Sequence, residues 1–147
     1  MKVARARLGR VFVIRLEDGD ILHEAVEALA VREKIRAAAL VVVGGADEGS
    51  RLIVGPRAGR RRPIHPVEIP LAGVHEFTGT GTVFPDARGK PVLHMHIAAG
   101  RGRKALAGCV RQGVRIWHVA EIVLFELRGV AAARRLDPAT GFELLAL

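Results

Sequence analysis

The hydrophobic positions change their spacing several times along the chain, and each change marks an element. Val11-Phe12-Val13-Ile14-Arg15-Leu16 is a short run rich in β-branched residues and predicts a strand. Glu17-Asp18-Gly19-Asp20 follows as a turn, with Asp20 placed as a helix N-cap. From Ile21 to about Lys34 the apolar residues Ile21, Leu22, Ala25, Val26, Leu29 and Ala30 recur at helical spacing. Glu24, Glu27, Arg32 and Glu33 take the wet side, so this helix is expected to lie on a sheet. Ala37 to Val43 is apolar throughout and predicts a strand buried on both faces, ended by Gly44-Gly45.

Shorter strands are expected at Arg51 to Val54, Val67 to Leu71, His75 to Phe84, Val92 to Ala99 and Ala105 to Val110. A long one spans Ile116 to Leu127. Between the first two, Gly55 to Pro66 carries Arg57, Arg60, Arg61 and Arg62 with three prolines and reads as an exposed, mobile basic loop. The apolar Phe142 to Leu147 segment is expected to pack on something, since a solvated apolar tail is sticky. One helix and many strands predict a fold of the α/β class, α+β type: a mixed, largely antiparallel sheet with a flanking helix. The 147 residues fit a single domain, with its core over about 10–128.

The strand from Val92 holds the densest chemistry. Alternation puts His94 and His96 on one face, with Leu93, Met95 and Ile97 on the apolar face. If Arg101-Gly102 forms a two-residue turn, His94 sits opposite Cys109, and the three side chains share a face. A one-residue slip would turn Cys109 away. Two imidazoles and a thiolate suit Zn²⁺, with a fourth position for water or substrate; half-exposed strand histidines with no ligand role are the plainer reading. The preceding hairpin is expected to bring Gly79 and Gly81 opposite the histidines and leave room over them. His75 falls several residues along the sheet and is not expected to be a ligand.

Composition adds two points. The net charge of +8 favours contact with nucleic acid or other polyanions, although an Arg-rich surface also serves solubility alone. A single cysteine excludes an intramolecular disulfide and fits a reducing, cytoplasmic setting. No stretch approaches the roughly 18 apolar residues of a membrane span, and no apolar signal core follows the basic first residues.

Several segments together resemble the plant and prokaryote conserved (PPC) domain. They are Val11 to Asp20 with the helix after it, the Val-rich strand ending Gly44-Gly45-Ala46, Gly89-Lys90-Pro91-Val92-Leu93-His94-Met95-His96, and the small-residue strand ending Gly108-Cys109. The resemblance runs from about Arg10 to Leu127. It implies a homotrimer and, in the stand-alone prokaryotic form, a candidate DNA-binding protein. It also implies a three-histidine metal cluster, of which His94 and His96 match two members. Cys109 stands where the third histidine is expected, and Ala107 replaces a glycine.

The plant proteins of this family also carry AT-hook motifs, which need Arg-Gly-Arg-Pro. Arg101-Gly102-Arg103 is followed by Lys104, and Arg60-Arg61-Arg62-Pro63 lacks the glycine, so any DNA contact rests on general basic surface. Three functions follow in order: a trimeric DNA-binding module with a zinc-type site, a pure assembly domain, and a metal-dependent enzyme on a small molecule. Glu76 and Glu121 are conceivable acid/base groups for the last, but nothing in the sequence fixes either near the histidines, and surface charge explains both.

Overall fold

A computed structural model describes all residues, 1–147. Eight strands form one sheet: β1 (Arg7–Glu17), β2 (Ala38–Ala46), β3 (Arg51–Pro56), β4 (Pro66–Pro70), β5 (His75–Pro85), β6 (Pro91–Arg101), β7 (Lys104–Cys109) and β8 (Ile116–Arg128). Their order across the sheet is β1-β8-β2-β5-β6-β7-β3-β4. β9 (Ala133–Leu136) and β10 (Glu143–Ala146) make a separate hairpin, and α1 (Leu22–Arg32) is the one helix.

Every pairing is antiparallel, so the sheet expected to be mixed has no parallel pair. β1 and β2 do run the same way, as a helical crossover requires. β8 inserts between them and pairs antiparallel to both. Asp20 does not cap α1: Ile21 holds the N-cap position without a side-chain bond, and Asp20 instead accepts the Glu17 N–H at 2.9 Å to close the turn.

The helix buries Leu22, Val26 and Ala30, spaced by four, against one face of the sheet. That face contributes Leu40, Val42, Met95, Ile97, Ile122 and Leu124 to a single core. Each such large side chain, once fully buried, contributes about 1.5–3 kcal/mol. The opposite face is covered only over β5 and β6, by the C-terminal hairpin. β2, expected to be buried on both sides, alternates: Leu40 and Val42 are buried while Val41 and Val43 remain 45% and 52% exposed. The reason is architectural, because the helix covers one side of the sheet and the C-terminal hairpin on the other side does not extend over Val41 and Val43.

Two glycines permit close strand approach. A Cβ on Gly44 would fall 2.6 Å from Ala120 and from the Val119 carbonyl, beside the slip in register between β2 and β8. A Cβ on Gly108 would fall 2.7 Å from the Ile53 carbonyl, so glycine lets β3 lie beside β7.

Candidate metal centre

On the open face, directly paired residues form rungs across the sheet. One runs Val13, Val123, Val41, Thr80, His96, Cys109, Ile53. The next runs Val11, Phe125, Ala39, Thr82, His94. Each is apolar over β1, β8 and β2, and becomes polar at β5 and β6.

The β6–β7 turn is Gly102-Arg103, with Arg101 paired to Lys104. Gly102 has φ +59° and occupies the first central position, where a two-residue hairpin turn of the glycine-first kind needs it. The expected Arg101-Gly102 turn is therefore displaced by one residue, and Cys109 faces His96 rather than His94. The displacement moves every partner by two positions, so Cys109 stays on the histidine face. The glycine expectation is corrected as well. Thr80 and Thr82 oppose His96 and His94, whereas Gly79 and Gly81 pair with Ile97 and Met95 and make room on the core side.

The ligand atoms of His94, His96 and Cys109 all lie within 4.8 Å of one another. The two Nε2 atoms are 3.2 Å apart, with the rings edge to face. Two nitrogens bound about 2.0–2.1 Å from a tetrahedral zinc stand about 3.3 Å apart, so the imidazoles already have the needed spacing. The same distance also suits a hydrogen bond between one protonated and one bare ring nitrogen. Partial burial, foremost, and then the charges of Arg134, His96 and Arg111 lower the His94 pKa. That favours the neutral ring, which is the form that binds metal.

His94, His96 and Cys109 also line a cavity of about 410 Å³ between β3–β4 and the C-terminal hairpin. Arg111, Arg134 and Glu143 share its wall. Neither arginine was legible as a site residue. Arg134 reaches the site only because β9 folds back beside Thr82, whose hydroxyl and carbonyl accept from its Nη2 at 3.3 and 3.5 Å. The available signal was Arg134-Arg135 ahead of the turn-forming Asp137-Pro138-Ala139-Thr140-Gly141, since a hairpin there puts adjacent arginines on opposite faces.

Arg57, Arg60, Arg61 and Arg62 are all exposed, in the β3–β4 connection, and do not join the cluster. Neighbouring Gly55, Pro56, Ile64 and Pro66 form a cavity wall, so the basic loop extends from its rim. It approaches the hairpin turn opposite. The Asp137 carboxyl is held below its usual range by the Thr140 hydroxyl first, and the charge of Arg62 adds to this. His75 is remote from the cluster, its Nδ1 bonded to the Gly73 carbonyl at 2.8 Å. No helix is long and apolar enough to cross a membrane.

Solved structures share this architecture. A metal-containing protein from Archaeoglobus fulgidus superposes with a TM-score of 0.85 at 24% identity, covering 100% of both chains. A plant- and prokaryote-conserved protein from Pyrococcus horikoshii gives 0.81 at 25% identity, again over 100% of both. A candidate DNA-binding protein from Ralstonia eutropha gives 0.71 at 23% identity over 92% of this chain and 90% of that one. No curated protein matches in sequence. Residues 3–128 match the Plants and Prokaryotes Conserved domain, and with the strand order and the His94-Met95-His96 segment in place, the chain belongs to that family.

Proposed function

We propose that this protein is a trimeric binding module that holds a zinc-type ion at His94, His96 and Cys109 and takes DNA on its basic loop. The observation that carries the reading is the convergence of three ligand atoms within 4.8 Å, His96 and Cys109 from one rung of the sheet and His94 from the next. Two neutral imidazoles and a thiolate fit zinc in number, softness and nitrogen spacing. The metal-containing relative from Archaeoglobus fulgidus supports the assignment.

The exposed Val11, Val13, Val41 and Val43 supply an apolar surface that a second and third copy would cover. Arg57, Arg60, Arg61 and Arg62 supply phosphate-neutralising charge, and relatives described as candidate DNA-binding proteins support that role. With no base-reading motif on the loop, binding is expected to be salt-sensitive and nearly independent of sequence. An enzymatic reading has less behind it. Glu76 and Glu121 are exposed and line neither the histidine cavity nor any nucleophile's surroundings.

Metal analysis with native mass, on wild type and Cys109→Ala, tests the core of the proposal. One zinc per chain in the wild type, falling at least about 100-fold in affinity in the variant, is the expected result, since even indirect partners of a ligand are worth 10–100-fold. Wild-type protein purified without stoichiometric metal, and unable to take it up, overturns it.

A further inference from the structure

The wall of the histidine cavity carries a charge arrangement that neither the metal reading nor DNA contact uses. Arg134 is 3% exposed, yet it makes no ion pair. Its bonds are the two long ones to Thr82, and its Nε has no partner at all. A buried guanidinium costs several kcal/mol of desolvation unless something negative or strongly accepting meets it. Arg111 stands on the same wall and adds a second positive charge, which together with burial depresses the Arg134 pKa. Glu143 is the only carboxylate lining the cavity, so two guanidiniums face one acid. A divalent ion on the histidines would deepen the imbalance. The rest of the lining is apolar: Ile53, Ile64, Phe142 and Leu144 face the same space.

We infer that this cavity is a binding site for a small organic oxyanion, a carboxylate or phosphate monoester carrying an apolar body. The anionic group pairs with Arg134 and Arg111, where the fixed fork of a guanidinium matches two oxygens at once. The apolar body lies along Phe142, Leu144 and Ile64. About 410 Å³ suits a ligand of one ring or a short chain. The arginines of the β3–β4 loop stand at the rim and draw anions toward the opening. The site does not depend on the metal, although a metal beside it strengthens the anion's hold.

Calorimetric titration of metal-free and zinc-loaded protein tests this with four probes: phenyl phosphate, benzoate, inorganic phosphate and benzyl alcohol. Both organic anions are expected to bind, phenyl phosphate more tightly than inorganic phosphate, and benzyl alcohol is expected not to. Arg111→Gln, an exposed position that leaves the fold intact, should weaken phenyl phosphate about tenfold or more, the usual worth of one charge-assisted bond. Arg134→Gln should abolish binding, with circular dichroism checking the fold.

No anion binding in either metal state, or equal affinity in wild type and Arg111→Gln, overturns the inference. Displacement of phenyl phosphate by a 20-base-pair duplex at equal phosphate concentration overturns it too, since the arginines would then belong to the DNA surface. Because the metal-free and Cys109→Ala proteins carry the same two arginines, anion binding there separates this site from the metal proposal.

Discussion

The two faces of the sheet carry nearly the same residue types at adjacent positions and have opposite fates. Val42 and Val41 are neighbours on β2; one is 2% exposed and the other 45%. The same direction holds more weakly on β8, where Ile122 is buried and Val123 half-buried, and on β1, where Ile14 is half-buried and Val13 exposed. The helix-covered face is saturated, and its chemistry ends with packing. The open face keeps apolar surface over β1, β8 and β2 and gathers histidine, threonine and cysteine over β5, β6 and β7. The packed core and the candidate site are therefore separated by the period-2 alternation of the strands.

The largest break in this contrast is expected from Leu124→Ala on the closed face. Leu124 is fully buried in the core, and its truncation should cost about 2–5 kcal/mol in urea unfolding. Glu126→Gln comes next. Glu126 receives Arg10 Nε at 2.9 Å, the Arg10 backbone N–H at 3.0 Å and Arg128 Nε at 3.1 Å, which clamps β1 to the end of β8. Those bonds, the Arg10 guanidinium's foremost, hold its carboxyl down to about 2.

A carboxyl lowered on folding stabilises fully above its unfolded value near 4.5 and loses that contribution as pH falls toward 2. The variant should be weaker by about 1–2 kcal/mol at pH 7, because both arginines are well exposed and screened. Wild type and variant should draw together as pH falls from about 4.5 and converge near pH 2, and denaturant midpoints across pH check this. A constant gap at every pH would remove the clamp from the account.

The smallest effect on unfolding belongs to the open face. Val13 is 85% exposed, so Val13→Ser should change chain stability by no more than about 0.5 kcal/mol. The same change should shift native mass toward the single chain if copies cover this surface. An unchanged mass would leave the open face without that role.

Much of the framework could be read from the chain. Ile21 to about Lys34 matches α1, and the expected strands match observed ones to within three residues at each end, except that β1 begins four residues before the expected Val11, because amphipathic spacing is a local property. The histidine face was equally legible, since alternation alone fixes it. The turn was misplaced by one residue because Gly102 can take either central position of a two-residue hairpin turn; in the structure it takes the first, with φ +59°. The exposure of Val41 and Val43 was not legible, because a continuous apolar run looks the same whether a second layer covers it or not.

By itself, then, the sequence determined which residues alternate and that His94 and His96 share a face; the register of the β6–β7 hairpin decided that Cys109 joins them. Tertiary structure decided what surrounds them. Arg134 lies 38 positions from His96 and reaches its cavity only through the fold of the C-terminal hairpin, which no local pattern encodes. Local backbone geometry sets the direction of a side chain; long-range strand order sets its neighbours, and in this protein the neighbours carry the charge.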